Sequence, residues 1–374
     1  MIAAIFWVAA ALILYTHLGY PILLWILLRL RRRPTVSPPA SWSELPTVSL
    51  IVAAYDEEDV IAAKVAEAAG LDYPRDRLQL IVASDGSSDA TVERARAAGA
   101  DLVLDLPRAG KLAAQNAAAE RADGEILAFS DANSAWERSA LLRLVEVFAD
   151  PSVGYVCGQV RFRDGDDNLE GVYWRYEVAV RELESALGGI TAGNGAIYAV
   201  RRGSYVPLPP AASHDLSLPF ELARRGRRSL YAAAARATEK MVPTLEGEFA
   251  RKRRMMVGLW DIVVGERMLS PRGYPPLFAF QLASHRVLRY LTPFLHLVVL
   301  IANLALLGEG WVYVLTHLLQ VGLLAAAALA RFLPLAPLRA ARYYVIVTAS
   351  IAAGLWDRFR QGRPGTWEKA EGTR

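Results

Sequence analysis

Apolar and polar positions divide the chain into three stretches. Residues 2–28 are almost uninterrupted apolar sequence, longer than the roughly 20 residues a helix needs to cross a bilayer. Gly19-Tyr20-Pro21 marks a place for a kink or a re-entrant hairpin. From Thr47 the pattern becomes short apolar runs alternating with amphipathic ones. Residues 48–54, 78–83, 102–104, 126–130, 153–163 and 196–201 read as strands, and 59–69, 89–98, 111–121, 138–148, 169–187 and 215–224 as helices. Runs of Val, Ile, Leu and Ala without polar alternation suit strands buried on both faces of a sheet. Their alternation with helices predicts an α/β domain with a mostly parallel, right-handed sheet. Beyond Glu246 the pattern changes again. Phe249, Met256, Trp260 and Val263 fall on one face of a helix whose other face carries Arg251 and Arg254. That is the pattern of an interfacial helix, or of a soluble helix docked on the sheet. Three apolar segments follow at 287–307, 310–330 and about 335–356, the last interrupted by Pro337, Arg339 and Arg342.

These shifts give an N-terminal transmembrane segment (1–30), a linker with four prolines (31–46), the α/β domain (47–245), an interfacial region (246–286), C-terminal transmembrane segments (287–356) and a polar tail (357–374). A hydrophobic share of 53% in 374 residues is too high for an ordinary soluble protein and fits a globular domain joined to membrane segments. The net charge of +4 matters less than its clustering at 29–33, 224–228 and 251–254. Beside apolar segments such clusters face a membrane or a pyrophosphate rather than nucleic acid. No basic stretch precedes the first apolar run, so a cleaved signal peptide is not expected. Arg29 to Arg33 place that end, and the domain after it, on the cytoplasmic side of a multi-pass inner-membrane protein. One span before the domain and three after it would leave Arg358, Arg360 and Arg363 outside, against the same rule, unless one segment lies in the interface or the first is a hairpin. Cys157 is the single cysteine, which rules out an intrachain disulfide and a cysteine zinc site.

The candidate chemistry lies where the strands end. In open α/β sheets ligands sit outside the carboxyl ends of strands, so Asp85 and Asp131 are expected to point into one crevice, where two carboxylates need a cation or hydrogen-bond donors. The sequence Asp85-Gly86-Ser87-Ser88-Asp89 is a ligand site or a turn with Ser87 or Ser88 capping the next helix. Gly110-Lys111 sets a cation at a helix start, which seats a phosphate or is solvated. Asp131 and Asn133 offer a carboxylate and an amide oxygen to a hard divalent cation. Asp215, after His214, is a helix cap or a base that takes a hydroxyl proton.

In this order the segments Ala53-Ala54-Tyr55-Asp56-Glu57-Glu58, Asp85 to Asp89, Gly110-Lys111, Asp131-Ala132-Asn133 and His214-Asp215 resemble the family 2 glycosyltransferases of GT-A fold, over residues 46 to 258. The resemblance implies a nucleotide-sugar donor, specifically a UDP-sugar, with Ala53, Tyr55, Glu57 and Asp85 on its base and ribose and Lys111 near its uracil or phosphates. It implies Mg²⁺ or Mn²⁺ on Asp131 and Asn133, which stand in place of the family's Asp-x-Asp. Gly193-Asn194-Gly195 and His214 fall on the acceptor side, Asp215 matches the general base, and Arg254 matches a residue that stabilises the departing diphosphate. The implied acceptor is a lipid-linked molecule or a saccharide, at a surface of membrane lipids. Two departures stand out. Asn133 is neutral where many members carry Asp, and around Arg254 the Gln and Trp of the processive synthases are absent. The alternatives are a processive synthase that extrudes its product and a non-catalytic nucleotide-sugar binder.

Overall fold

The computed structural model describes residues 1–30, 45–162, 169–209, 212–240, 245–265, 267–270, 272–333 and 335–362. Most of the linker expected at 31–46, with Arg31 to Arg33, and the tail beyond 362 lie outside the described residues. Helix α1 (Ile2–Leu30) leads in. The domain then runs β1 (Val48–Ala54), α2 (Ile61–Ala69), β2 (Leu78–Asp85), α3 (Thr91–Ala97), β3 (Leu102–Leu106), α4 (Lys111–Arg121), β4 (Ile126–Asp131), β5 (Ala135–Trp136), α5 (Ala140–Val147), β6 (Val153–Phe162), α6 (Leu169–Leu187), β7 (Ile197–Arg201), α7 (His214–Arg224) and β8 (Arg228–Glu239).

All eight strands form one sheet in the order β3-β2-β1-β4-β7-β6-β8-β5. The first four positions are parallel, whereas β7 runs antiparallel to both β4 and β6. Every residue of β1 is buried, as expected for a strand covered on both faces. The register sets Ala53 beside Ala83 and Asp131, so the ends of β1, β2 and β4 lie along one edge. Strand β8, at 228–239, is an element the apolar pattern does not reveal. Its Tyr-Ala-Ala-Ala-Ala tract has low strand propensity, yet it pairs in parallel with β6. Small side chains are needed here: a Cβ on Gly158 of β6 would lie 2.4 Å from the Ala235 carbonyl oxygen. Pairing and packing override propensity.

After the domain come α8 (Leu245–Trp260), α9 (Pro276–Ala305), α10 (Trp311–Leu329) and α11 (Ala336–Gln361). Among the described residues three helices are long and apolar enough to cross a membrane: α1, α9 and α10. The third C-terminal segment expected to span does form a helix, α11, but it is not one of the three; Arg339, Arg342, Asp357, Arg358 and Arg360 lie along it. Helices α1 and α9 pack through Phe6, Ala9, Val299, Ala302 and Leu306, and Trp7, Leu14, Ile301, Leu318 and Leu319 stay exposed, an outward apolar surface of the kind a bilayer covers. Helix α8 docks on α11 rather than on the sheet. A Cβ on Gly354 would lie 2.4 Å from Met256 Cβ, Trp260 Nε1 donates to the Ile351 carbonyl at 3.2 Å, and Arg253 pairs with Asp357.

Candidate active site

Strand β4 delivers Asp131 to the carboxyl edge, where Lys111 at the start of α4 forms a hydrogen-bonded ion pair with it. Gly110, with φ of 99°, makes the turn into α4, a conformation that side-chain-bearing residues rarely adopt. Burial alone would lower the Lys111 ammonium; Asp131 first, then Asp215 and Glu239, instead hold it above the ordinary lysine value. Asp215 lies 84 residues after Asp131, in helix α7 rather than on the strand that carries Asp131. The turn that carries Asp131 and Asn133 is fastened from below by a second lysine. Lys64 is buried and donates to the Ser134 carbonyl at 2.7 Å and to Glu67 Oε1 at 2.9 Å.

Asp85 departs from expectation. Its carboxylate does not open into the crevice beside Asp131. It is 1% exposed and accepts from the backbone N–H of Ala109 at 2.7 Å and of Gly110 at 2.8 Å, with Arg108 at 3.5 Å. Two backbone donors satisfy the carboxylate more cheaply than burial beside a second carboxylate would. Asp85 thus shapes the loop that presents Lys111. Gly86 lets that loop close, since a Cβ there would lie 2.8 Å from Arg108 N. Arg108, in turn, sits 3.1 Å over the Tyr55 ring centroid. The serine cap expected at 87–88 is not formed; Asp89 accepts from Thr91 N–H at 3.0 Å, and Ser87 Oγ accepts from Asp56 N–H at 3.0 Å. Glu57 is buried, its N–H donating to Thr91 Oγ1 at 2.7 Å, and Ala53 is buried in β1.

The loop between α6 and β7 closes the other side. The Gly193 N–H donates to the Asp215 carbonyl at 2.7 Å, and a Cβ on Gly193 would lie 2.0 Å from Tyr155 Oη, so only glycine fits. Gly195 faces Lys111, whose Nζ would lie 3.8 Å from a Cβ there. Asn194 is buried and spends its amide on backbone, donating to the Gly158 carbonyl at 2.7 Å and accepting from Ile197 N–H at 2.9 Å. It pins the loop. His214 is enclosed as well: Nδ1 bonds Tyr198 Oη at 2.6 Å, Nε2 bonds Tyr205 Oη at 3.3 Å, and Phe129 meets the ring edge-on. Asp215 follows in the first turn of α7, half-buried, while Ser213 occupies the N-cap position. Arg254 lies on the exposed side of α8.

Burial, with Lys111 nearby, pushes the His214 imidazole down to about 3 from an ordinary value of 6.5. The unfolded chain takes up this proton as pH falls below 6.5, while the folded chain does not until about 3. The stabilising contribution is therefore complete above pH 6.5 and is lost progressively toward pH 3. One proton corresponds to about 1.4 kcal/mol per pH unit. His214→Gln is expected to show a shallower fall in melting temperature across that window than the parent. Equal slopes would mean that the ring is not held neutral.

Sequence reasoning missed Lys64, Arg108 and Glu239. They lie on a helix face, in a loop and at the end of an unrecognised strand, and no spacing links them to Asp131.

Comparison with known proteins agrees with this fold. The family model described as Glycosyl transferase family 2 matches residues 49–205, from β1 through β7, stopping short of Asp215. A mannosyltransferase from Pyrobaculum calidifontis, solved in complex with GDP-Man and Mn²⁺, superposes with a TM-score of 0.74 at 27% identity, covering 96% of this chain and 99% of that one. The poly-beta-1,6-N-acetyl-D-glucosamine synthase of Staphylococcus aureus is 22% identical over 240 residues, 61% of this chain and 58% of the relative. The beta-monoglucosyldiacylglycerol synthase of Trichormus variabilis is 31% identical over 168 residues, 40% of this chain and 35% of the relative. The chain thus spans about a third to three-fifths of the length of these two curated relatives. Matched segment, strand order and the superposition along nearly the whole chain agree: residues 49–205 match the family 2 glycosyltransferases, and the chain carries a GT-A domain flanked by apolar helices.

Proposed function

We propose that this chain is an inverting, metal-dependent enzyme that moves a sugar from a nucleotide-sugar to a lipid-linked or saccharide acceptor at the cytoplasmic face of the inner membrane. The observation that carries the reading is the Lys111–Asp131 pair at the carboxyl edge, with the 193–195 loop beside it holding the Asp215 backbone through Gly193 and facing Lys111 through Gly195. A donor anchor and a candidate base then share one crevice. Asp215 takes the proton of the acceptor hydroxyl as its oxygen attacks the anomeric carbon from the face opposite the leaving group, which inverts configuration. The nucleoside diphosphate departs against Lys111 and the N-terminus of α4, where backbone N–H groups and the helix dipole favour an anion. Tyr55, with Arg108 over its ring, lines the base and ribose side, backed by the buried Ala53 and Glu57.

The donor set at the β4 turn fits a hard cation. One carboxylate and one amide oxygen, from Asp131 and Asn133, leave further positions for phosphate oxygens and water. Among the described residues no three His, Cys, Asp or Glu side chains cluster to hold a metal without such help. Asp131 and Asn133 would hold Mg²⁺ or Mn²⁺ there, and the ion would supply counter-charge to the diphosphate.

The solved relative carries GDP-Man, so guanosine donors stand beside the UDP-sugars implied by sequence. A panel of both, given to the full-length protein in lipid and read by mass spectrometry of lipid and soluble fractions, tests the reading. We expect one donor to be consumed with Mn²⁺ or Mg²⁺, and none in chelator. No donor consumed, or full turnover in chelator, would overturn it. A processive synthase is the second reading, favoured by likeness to a polysaccharide synthase and opposed by the missing Gln and Trp around Arg254; products extended by many sugars would select it. A non-catalytic binder would bind donor without consuming it.

A further inference from the structure

Away from the donor crevice, a second polar cluster is buried between α6 and the membrane helices. Glu184 is fully buried, and its carboxylate joins three parts of the chain. Tyr20 of α1 donates to Oε1 at 2.6 Å. His285 of α9 meets the same oxygen through Nδ1 at 2.8 Å. Thr191, in the loop that leads to Gly193, brings its N–H to 3.2 Å and its hydroxyl to 3.1 Å of Oε2. Arg286, next to His285, donates from Nε to the Thr191 hydroxyl at 3.0 Å. Two turns earlier on α6, the buried Glu177 pairs with Arg289. Burial alone would raise the Glu184 carboxyl; His285 and Arg286 hold it below the ordinary glutamate value, so it stays charged.

The backbone on the membrane side is specialised for this joint. Helices α1 and α9 each contain one π-helical stretch, Tyr15–Gly19 and Leu282–Val287. The two meet, with Tyr15 Oη and Ser284 Oγ 2.9 Å apart, and Tyr176 of α6 donates to the His17 carbonyl at 3.0 Å. Wide turns of this kind are rare and concentrate at functional sites. A continuous path of contacts therefore runs from both membrane helices through Glu184 to Thr191, and from Gly193 N–H to the Asp215 carbonyl.

We propose that Glu184 is a positioning residue for sugar transfer: it fixes the acceptor loop and the Asp215 segment to the membrane helices, so that the site receives the sugar or hydroxyl head of a membrane-borne lipid at a set depth. The inference rests on the transferase reading above and adds to it the element that sets acceptor geometry. A buried carboxylate with this many partners also has a purely structural role open to it, so the test must separate the two.

Full-length parent, Glu184→Gln and Thr191→Val are compared in lipid nanodiscs, with nucleoside diphosphate affinity, melting temperature, donor hydrolysis by water and transfer to a lipid-linked acceptor measured on each. Thr191→Val removes only the loop's hold and leaves Glu184 with Tyr20 and His285. We expect nucleotide affinity and hydrolysis to stay within about twofold of the parent, while transfer falls about a hundredfold, the scale of a 1 Å misplacement. The ratio of transfer to hydrolysis is the decisive readout. Parallel loss of transfer, hydrolysis and nucleotide affinity in Thr191→Val would make the cluster structural and sink the proposal, as would parent-like transfer in both variants. If Glu184→Gln fails to fold, Thr191→Val decides alone by the same ratio. A parent that consumes no donor overturns the transferase reading itself, and this one with it.

Discussion

Asp215→Asn is expected to reduce sugar transfer by at least about a hundredfold while leaving folding and donor binding near parental. A positioned carboxylate that removes the acceptor proton contributes roughly 10²–10⁴-fold, and the amide cannot accept that proton. The substitution keeps size and can still bond the first turn of α7. Ser213, not Asp215, occupies the N-cap position, and Asp215 lies in the first turn. The donor side, Asp131 with Lys111, is untouched. Thermal stability, nucleotide affinity and transfer rate measured on Asp215→Asn and Asp215→Ala separate base from cap. As a base, Asp215 makes both variants inactive and both stable. As a cap, it leaves Asn active and Ala unstable. Transfer by the Asn variant at close to the parental rate would place the base elsewhere.

Asp131→Ala is expected to abolish donor turnover and, independently, the binding of Mn²⁺ in the presence of nucleoside diphosphate. Removing one group that stabilises developing charge costs about 10²–10³-fold, and here the substitution also strips the partner from Lys111. Electron paramagnetic resonance of Mn²⁺ with nucleotide and each protein reads the binding directly, without reference to catalysis. Mn²⁺ bound as tightly by Asp131→Ala as by the parent would remove Asp131 from the ligand set. Asp131→Asn is the milder probe: it keeps the turn and a neutral oxygen, so it should bind Mn²⁺ more weakly than the parent and better than Ala.

Much of the fold was legible because the central strands β1, β2 and β4 are almost wholly buried. Val48–Ala54, Lys111–Arg121 and Leu169–Leu187 were readable to the residue from apolar runs and helical stripes. Strand β8 was not, because its alanines carry no strand signal and its place is decided by close contact with Gly158. The site divides in the same way. Asp131 and Lys111 could be found because each ends or begins a regular element. What Asp85 does could not, since its partners are backbone N–H groups 24 and 25 residues away, and a sequence pattern shows which side chains are present but not which amides will face them. Asn194 and His214 likewise have environments that only the folded chain supplies. Glu184 falls among the polar positions of an amphipathic helix, and nothing local marks it as a meeting point of three segments.

The docking of α11 on α8 bears on how the chain is threaded through the bilayer. Helix α8 follows directly from the catalytic domain, and Asp357 reaches Arg253 across to it, so the two helices occupy one compartment. Between them the chain must cross the membrane an even number of times. With crossings at α9 and α10, the two C-terminal helices long and apolar enough to span among the described residues, and none at α11, the parity conflict left by three C-terminal spans would not arise. Arg358 and Arg360 would then be expected on the same side as the GT-A domain, in keeping with the positive-inside rule. A reporter fused after residue 362 should be labelled from the same side as one placed in the domain.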